Sequence, residues 1–179
     1  AEDAQLDTTL PSGVLGPAHR GTGPPLGAHG SSPGRAALHD LDASHLPEFD
    51  DYFTALGQSS LRTSIHPALL VETARGCWWG EKHHCTFCGL NGDDMRYRPK
   101  SSARVIEEFA YLTARYATHR LLVVDNILHQ QHLATVIPAL IEAGAPYSIF
   151  YETKANLSAQ QIEQLSRAGV RRVQPGFES

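Results

Sequence analysis

Short apolar runs alternate with amphipathic helical patterns from residue 68 onward, and this alternation limits the possible folds more than any other feature of the sequence. Four segments are predicted as strands, 68–72, 121–124, 147–151 and 170–174, and the first two are short apolar runs typical of buried parallel strands. Strands that alternate with helices predict a parallel α/β sheet with right-handed crossovers. Four strands do not close a barrel, since an eight-stranded barrel takes about 250 residues. Because the sequence stops directly after the fourth strand, we expect an incomplete domain, from a protein that continues or is truncated.

Each of the three helical patterns between these strands carries its own boundary signal. Ser101 or Ser102 can cap the first helix, whose apolar residues share one face. Pro138 lies inside the second pattern, so we expect that helix to start late or to bend. In the third pattern, Ser158 and Gln161 fit a capping box. These signals predict three helices between the four strands.

Composition divides the chain into three parts. Residues 1–37 are rich in Gly and Pro and poor in large apolar side chains, which predicts a flexible tail or linker. Residues 38–66 again contain Leu, Phe and Tyr, which predicts a linker with a short amphipathic helix. The acidic Asp50 and Asp51 suit the first turn of that helix. Residues 67–179 form the predicted α/β part.

The charge balance and the hydropathy exclude several classes of protein. With Lys+Arg 15 against Asp+Glu 19, a net charge of -4 and a pI near 6.2, the chain lacks the electrostatic footprint of a nucleic-acid-binding protein. No apolar run is long enough to cross a bilayer, and no secretory signal is visible. We therefore expect neither nucleic acid nor a membrane among the partners of the chain, and a cytoplasmic location.

Three cysteines lie close together in a loop that follows the first predicted strand. Cys77, Cys85 and Cys88 have the spacing C-x7-C-x2-C, and their odd number argues against a set of disulfides. Three thiolates can hold three irons of a cubane cluster and leave the fourth iron without a protein ligand. The carboxyl ends of parallel strands are also where such sheets bind ligands. The loop therefore predicts a metal site in a reducing compartment.

A closed zinc site is the alternative interpretation of the same cysteines. Cys77, Cys85 and Cys88, together with His83 or His84, supply the four ligands of a tetrahedral structural site. The chain would then be a non-catalytic zinc-binding or degenerate module. Zinc modules usually bring their ligands in two separated pairs, which differs from one loop after a buried strand. The spacing leaves both interpretations open.

The segment ARGCWWGEKHHCTFCGLNG, residues 74–92, follows the first strand, and together with the strand–helix repeats it resembles the radical S-adenosylmethionine (SAM) superfamily. The commonest spacing in that family is C-x3-C-x2-C, so the longer first gap is a departure. The longer gap and its context are similar to one subgroup, the cobalamin-dependent C-methyltransferases of RiPP maturation, which modify ribosomally made peptides. The resemblance covers residues 38–179 and is strongest over 72–100. It implies the truncated N-terminal part of a TIM-type barrel.

The resemblance implies a reaction and its cofactors. Cys77, Cys85 and Cys88 would bind a 4Fe-4S cluster whose open iron is chelated by SAM, and an electron from the cluster would cleave SAM to methionine and a 5′-deoxyadenosyl radical. The subgroup uses cobalamin to methylate an unactivated carbon of a precursor peptide. The implied partners are that peptide and an electron donor. Residues 1–40 have no pattern for a cobalamin domain, so the chain alone is expected to lack activity.

The resemblance also implies SAM-binding residues in the cysteine loop and at the strand ends. Phe87 precedes the last cysteine, where the family often has an aromatic side chain beside the adenine. Asp125 and Asn126 follow the second strand, where related enzymes hold the methionyl amino group, although the usual glycine-rich motif is absent here. Glu152 and Glu178 follow the third and fourth strands and are expected to face the cofactor. No catalytic residue is assigned.

Overall fold

A parallel sheet of four strands organises the part of the chain that the structure describes. The structure is a computed structural model, and it describes residues 38–83, 85–86, 88, 96–144 and 146–177. The strands, in chain order, are β1 (Leu69–Val71), β2 (Ala74–Arg75), β3 (Arg98–Pro99), β4 (Arg120–Val123), β5 (Ser148–Lys154) and β6 (Val170–Gly176). β1, β4, β5 and β6 lie side by side in that order, while β2 pairs with β3 in an antiparallel ribbon. The predicted flexible segment lies outside the described residues.

The register of the sheet confirms the four predicted strands and the predicted α/β class. Leu69 of β1 lies beside Leu121 of β4, and Leu121 lies beside Ile149 of β5, with all neighbours parallel. β5 and β6 continue past their predicted ends, to Lys154 and Gly176. Closure of this sheet into a barrel stays a prediction.

Helices fill the connections between the parallel strands, because parallel neighbours need long crossovers. The helices are α1 (Asp50–Gln58), α2 (Ser102–Tyr116), α3 (Gln130–Ala134), α4 (Val136–Glu142) and α5 (Ala159–Arg167). A 3-10 turn, Leu41–Ala43, precedes α1. None of the helices in the described ranges is long and apolar enough to cross a membrane.

Local signals account for the ends of α2 and α5. The Ser101 side chain accepts a hydrogen bond from the Arg104 N–H and so caps α2. Ser158 and Gln161 form the predicted capping box at the start of α5. After α5, Gly169 adopts a φ of 90°, which a residue without Cβ reaches without strain, and the chain turns into β6.

The second predicted helix is divided in two at Thr135. α3 ends at Ala134 and α4 begins at Val136, so Pro138 is the third residue of α4. In a continuous helix the proline ring would clash with the carbonyl of Ala134, four residues earlier. In the first turn of a helix its missing N–H has no intrahelical partner to lose. Pro138 therefore explains the late start that the sequence predicts.

The core lies between the sheet and its helices. Along β5, Ile149, Tyr151 and Thr153 are buried, while the residues between them are more exposed. Their partners from the helices are apolar: Val105, Phe109, Leu112, Val136, Ile137, Leu140 and Leu165. Leu70 and Val124, on the opposite face, are 48% and 52% exposed. The helices thus cover one face of the sheet. Right-handed crossovers require this when each successive strand is added on the same side of the previous one.

The segment before the sheet docks on α2 through an aromatic cluster. Phe53 stacks on Tyr116 with 4.8 Å between the ring centroids. The Tyr116 hydroxyl accepts a hydrogen bond from the Phe49 N–H and donates one to Asp50. Arg115 adds an ion pair with Asp50. The predicted short helix is therefore confirmed as α1, and its first turn is tied to the end of α2.

Candidate functional site

The cysteine loop, residues 76–97, is closed at its base by the β2–β3 ribbon. Ala74 pairs with Pro99, and Arg75 pairs with Arg98. The chain therefore enters and leaves the loop at one point, beside the carboxyl end of β1. The sequence pattern did not predict this ribbon, which holds the two ends of the loop together.

A buried carboxylate ties the base of the loop to the sheet. Asp125 follows β4 and is 2% exposed. Its Oδ1 accepts a hydrogen bond of 2.7 Å from the Thr73 N–H, and its Oδ2 accepts a hydrogen bond from the Thr73 hydroxyl. Thr73 lies between β1 and β2, so the contact sets where the chain leaves the sheet for the loop. Asp125 is thereby a positioning residue for the cysteine loop.

Burial dominates the electrostatics around this contact. It raises the pKa of Asp125 to about 7, although the hydrogen bonds from Thr73 act in the opposite direction. Burial also raises the pKa values of Tyr97 and Tyr151, and the charge of the nearby Asp125 raises them further. The raised pKa values favour the neutral, protonated forms of Asp125, Tyr97 and Tyr151. The base of the loop is an environment of low polarity that disfavours added negative charge.

The three cysteines are free thiols and are partly buried. The Gly80 N–H donates a hydrogen bond to the Cys77 sulfur at 3.3 Å. The Cys88 N–H donates one to the Cys85 carbonyl at 3.0 Å, which links the two cysteines of the C-x2-C spacing. Hydrogen bonds to sulfur tune iron–sulfur clusters, and the Gly80 N–H supplies one such bond, to Cys77. Within the described ranges, no three His, Cys, Asp or Glu side chains converge to hold one metal ion.

The other predicted SAM-binding residues fall at two strand ends or outside the described residues. The Asn126 amide donates to the Gly76 carbonyl at 3.4 Å, at the start of the cysteine loop. Glu152 is partly buried near the carboxyl end of β5. Phe87 and Glu178 lie outside the part of the chain that the structure describes, as does the alternative ligand His84. The structure thus brings Asn126 to the loop.

Two tryptophans of the loop make contacts that the sequence did not predict. The Trp78 indole N–H donates to the Leu128 carbonyl at 3.1 Å. Lys154 places its ammonium 2.9 Å from the centroid of the Trp79 ring, which is a cation–π contact. His83 lies against the same ring at 4.5 Å between centroids. These contacts connect the loop to the end of β5 and to the segment before α3. Their signal in the sequence is only the Trp-Trp pair beside the first cysteine.

Comparisons with known proteins were made with the sequence and with the structure. No family model, no curated protein and no solved structure matches the chain.

Proposed function

We propose that Cys77, Cys85 and Cys88 hold a 4Fe-4S cluster and that the chain is part of a radical SAM enzyme, which cleaves S-adenosylmethionine reductively. One observation carries the proposal: three free, partly buried thiols lie on a single loop at the carboxyl edge of a parallel sheet. The β2–β3 ribbon and the contact between Thr73 and Asp125 hold the base of that loop. A loop held in this way would keep its thiols near the edge where parallel sheets bind ligands.

The side chains and backbone of the chain would hold the cluster, shield it from water and orient SAM. The cluster would supply the electron that breaks the sulfonium bond of SAM. The Gly80 N–H donates to the Cys77 sulfur and would offset part of the charge of a cluster-bound sulfur there. Tyr97, which is partly buried, and Tyr151, which is buried, lie close enough to Asp125 at the base of the loop for its charge to raise their pKa values. A base of low polarity helps to exclude water from the reacting groups.

Asn126 and Glu152 are the proposed SAM contacts among the described residues. They lie near the carboxyl ends of β4 and β5, which are neighbours in the sheet. Their amide and carboxylate groups suit the polar methionyl and ribose groups of SAM. Phe87 and Glu178 complete the proposed set from the sequence. A direct contact between Asp125 and SAM stays a prediction, since that carboxylate would have to share its hydrogen bonds with Thr73.

The proposed reaction is the cobalamin-dependent methylation, or another modification, of a ribosomally made peptide. The support for this step is the resemblance of the loop, with its long first gap, to that subgroup. The reaction needs a precursor peptide, cobalamin and an electron donor. Three free thiols in a cluster site also suit a reducing, cytoplasmic location.

Anaerobic reconstitution tests the cluster. We expect about four iron and four sulfide per chain, a brown oxygen-sensitive protein, and an electron paramagnetic resonance spectrum of the reduced cluster that changes when SAM is added. Ser substitutions of Cys77, Cys85 and Cys88 should abolish iron binding. The matched control is His83→Ala, which changes a neighbouring residue that is a ligand only in the zinc interpretation, and it should retain the iron.

The opposite results identify the alternative or remove part of the proposal. Stoichiometric zinc without iron or sulfide, lost in either the His83→Ala or the His84→Ala variant, would establish the closed zinc site. If a cluster binds but its spectrum does not change when SAM is added, the iron–sulfur part of the proposal stands and the SAM chemistry is rejected. Release of 5′-deoxyadenosine by the intact enzyme of which the chain is proposed to be part, with its cluster reduced, is the direct measurement of the proposed cleavage.

A further inference from the structure

The first part of the cysteine loop is a compact turn that carries both a cysteine and a tryptophan. The Glu81 N–H donates a hydrogen bond to the Cys77 carbonyl at 2.9 Å, and the His83 N–H donates one to the Trp79 carbonyl at 2.7 Å. These bonds hold the backbone of residues 77–83 as one unit, which we call the Cys77 turn. A group that holds the Trp79 ring therefore also holds the Cys77 thiol.

Trp78 and Trp79 attach the Cys77 turn to two places beside the sheet. The Trp78 indole N–H donates to the Leu128 carbonyl, in the connection after β4. Trp79 faces Lys154, the last residue of β5, whose ammonium lies 2.9 Å from the centroid of the ring. The two indole rings meet edge to face, with 6.3 Å between their centroids. The turn is thus anchored at the ends of two neighbouring strands.

The Lys154 ammonium contacts an aromatic ring instead of a carboxylate. Within the described ranges, none of the ion pairs involves Lys154. Trp offers the best aromatic face for a cation, and the attraction grows as the two groups lose contact with water. Lys154 and Trp79 are both partly buried. The contact is therefore stronger than the same pair would be on an open surface.

We infer that Lys154 is a positioning residue for the metal site of the cysteine loop. Its cation–π contact with Trp79 holds the Cys77 turn at the end of β5 and keeps the Cys77 thiol in place before a metal binds. A ligand that is already in place loses less conformational freedom on binding, so the contact raises the affinity of the site. The inference rests on the proposed function in that Cys77 is a metal ligand, and it applies to a cluster and to a single ion alike.

The test uses the full 179-residue chain without oxygen and titrates it with Co²⁺, whose absorption spectrum changes when thiolates bind it. Lys154→Met removes the charge at similar length and should weaken Co²⁺ binding about tenfold. Lys154→Arg keeps a cation over the ring and should stay within about threefold of the unaltered chain. The matched control is Lys82→Met. Lys82 lies on the same turn and is exposed, so this variant should keep the affinity of the unaltered chain.

A double-mutant cycle with Trp79→Leu separates the contact from a general effect of charge. In the Trp79→Leu background, Lys154→Met should have little further effect on Co²⁺ affinity, because the partner of the ammonium is already gone. Three results would overturn the inference: an equal loss in both backgrounds, an equal loss for Lys82→Met, or an unchanged affinity of Lys154→Met.

Hydrogen exchange in the metal-free chain keeps this result separate from that of the proposed function. The Glu81 and His83 amides close the Cys77 turn, so both should exchange faster in Lys154→Met and as before in Lys82→Met. If the unaltered chain binds neither Co²⁺ nor iron, the proposed function fails, while faster exchange in Lys154→Met still supports the hold of Lys154 on the turn. Unchanged exchange in Lys154→Met would overturn the inference in either case.

Discussion

Asp125 and Thr73 join the ends of two neighbouring parallel strands through a pair of hydrogen bonds to one buried carboxylate. Asp125 follows β4, and Thr73 follows β1 and leads into the cysteine loop. The contact therefore transmits the position of the sheet to the loop. It also places an ionisable group where burial raises its pKa to about 7.

The raised pKa of Asp125 predicts a pH-dependent loss of stability. Its ordinary value is 3.8, so between about pH 4 and 7 the folded chain binds more protons at this site than the unfolded chain does. The contribution of Asp125 to the free energy of unfolding must then fall as the pH rises through that window, and stay low above it. Asp125→Asn removes this dependence. Urea denaturation measures the difference in the free energy of unfolding between the variant and the unaltered chain. From pH 4 to pH 7.5, that difference should grow by a few kcal/mol in favour of the variant.

The comparison with the Asn variant is needed because a buried histidine acts in the opposite direction. Burial lowers the pKa of His132 to about 4, so His132 makes the fold less stable as the pH falls below its ordinary value of 6.5. The two effects partly cancel in the unaltered chain. Only the difference between the two denaturation series isolates Asp125, and a difference that is constant with pH would contradict the prediction.

Elements with local signals could be predicted from the sequence. Ser158, Gln161 and Gly169 specify the start of α5 and its exit, because capping and left-handed turns depend on a few adjacent residues. The four parallel strands likewise follow from apolar runs and the lengths of their connections. Pro138 indicated an irregularity, and the structure places it at a helix break.

The remaining features depend on contacts between distant residues. β2 and β3 have two residues each, too few to show a periodic pattern. Thr73 and Asp125 are 52 residues apart, and only the register of β1 against β4 brings them together. The sequence placed Asp125 correctly at a strand end. It did not indicate that both carboxylate oxygens would face Thr73.

The buried ion pair between Lys100 and Glu108 provides a second prediction. Their side chains are 3% and 1% exposed, and the Nζ–Oε2 distance is 2.6 Å. Glu108→Ala should cost about 3–5 kcal/mol, because it leaves the ammonium buried without its partner. The double variant Lys100→Met with Glu108→Leu should recover much of that loss. Denaturation in urea measures both.

The matched control is an ion pair within α2 whose acidic partner is exposed. Glu107 pairs with Arg104 at 3.2 Å, and the Glu107 side chain is 63% exposed. Glu107→Ala should cost less than about 1 kcal/mol. Similar losses for Glu107→Ala and Glu108→Ala would show that burial does not determine the contribution of the Lys100 pair.

The capping box of α5 gives a third prediction. The Ser158 hydroxyl accepts the Gln161 N–H at 3.2 Å, and the Gln161 side chain accepts the Ser158 N–H. Ser158→Ala should lower the free energy of unfolding by about 1 kcal/mol, since it removes one side of the box. Ser166→Ala, an exposed serine in the last turn of the same helix, should change stability by a few tenths of a kcal/mol at most. Equal losses would assign the effect to the general removal of hydroxyl groups.

The edge strand β6 predicts self-association of the 179-residue chain. β6 is an edge strand of the described sheet; Val173 within it is 44% exposed, and Phe177 directly after it is 80% exposed. Open strand edges with apolar side chains favour pairing with another chain, and charged residues oppose it. Val173→Lys combined with Phe177→Lys should therefore shift the chain toward monomer in sedimentation velocity at several concentrations. Leu61→Lys, at a 57% exposed position in the segment before β1, is the control and should leave association unchanged. An unaltered chain that is monomeric at every concentration, or an equal response to Leu61→Lys, would show that the β6 edge does not drive association.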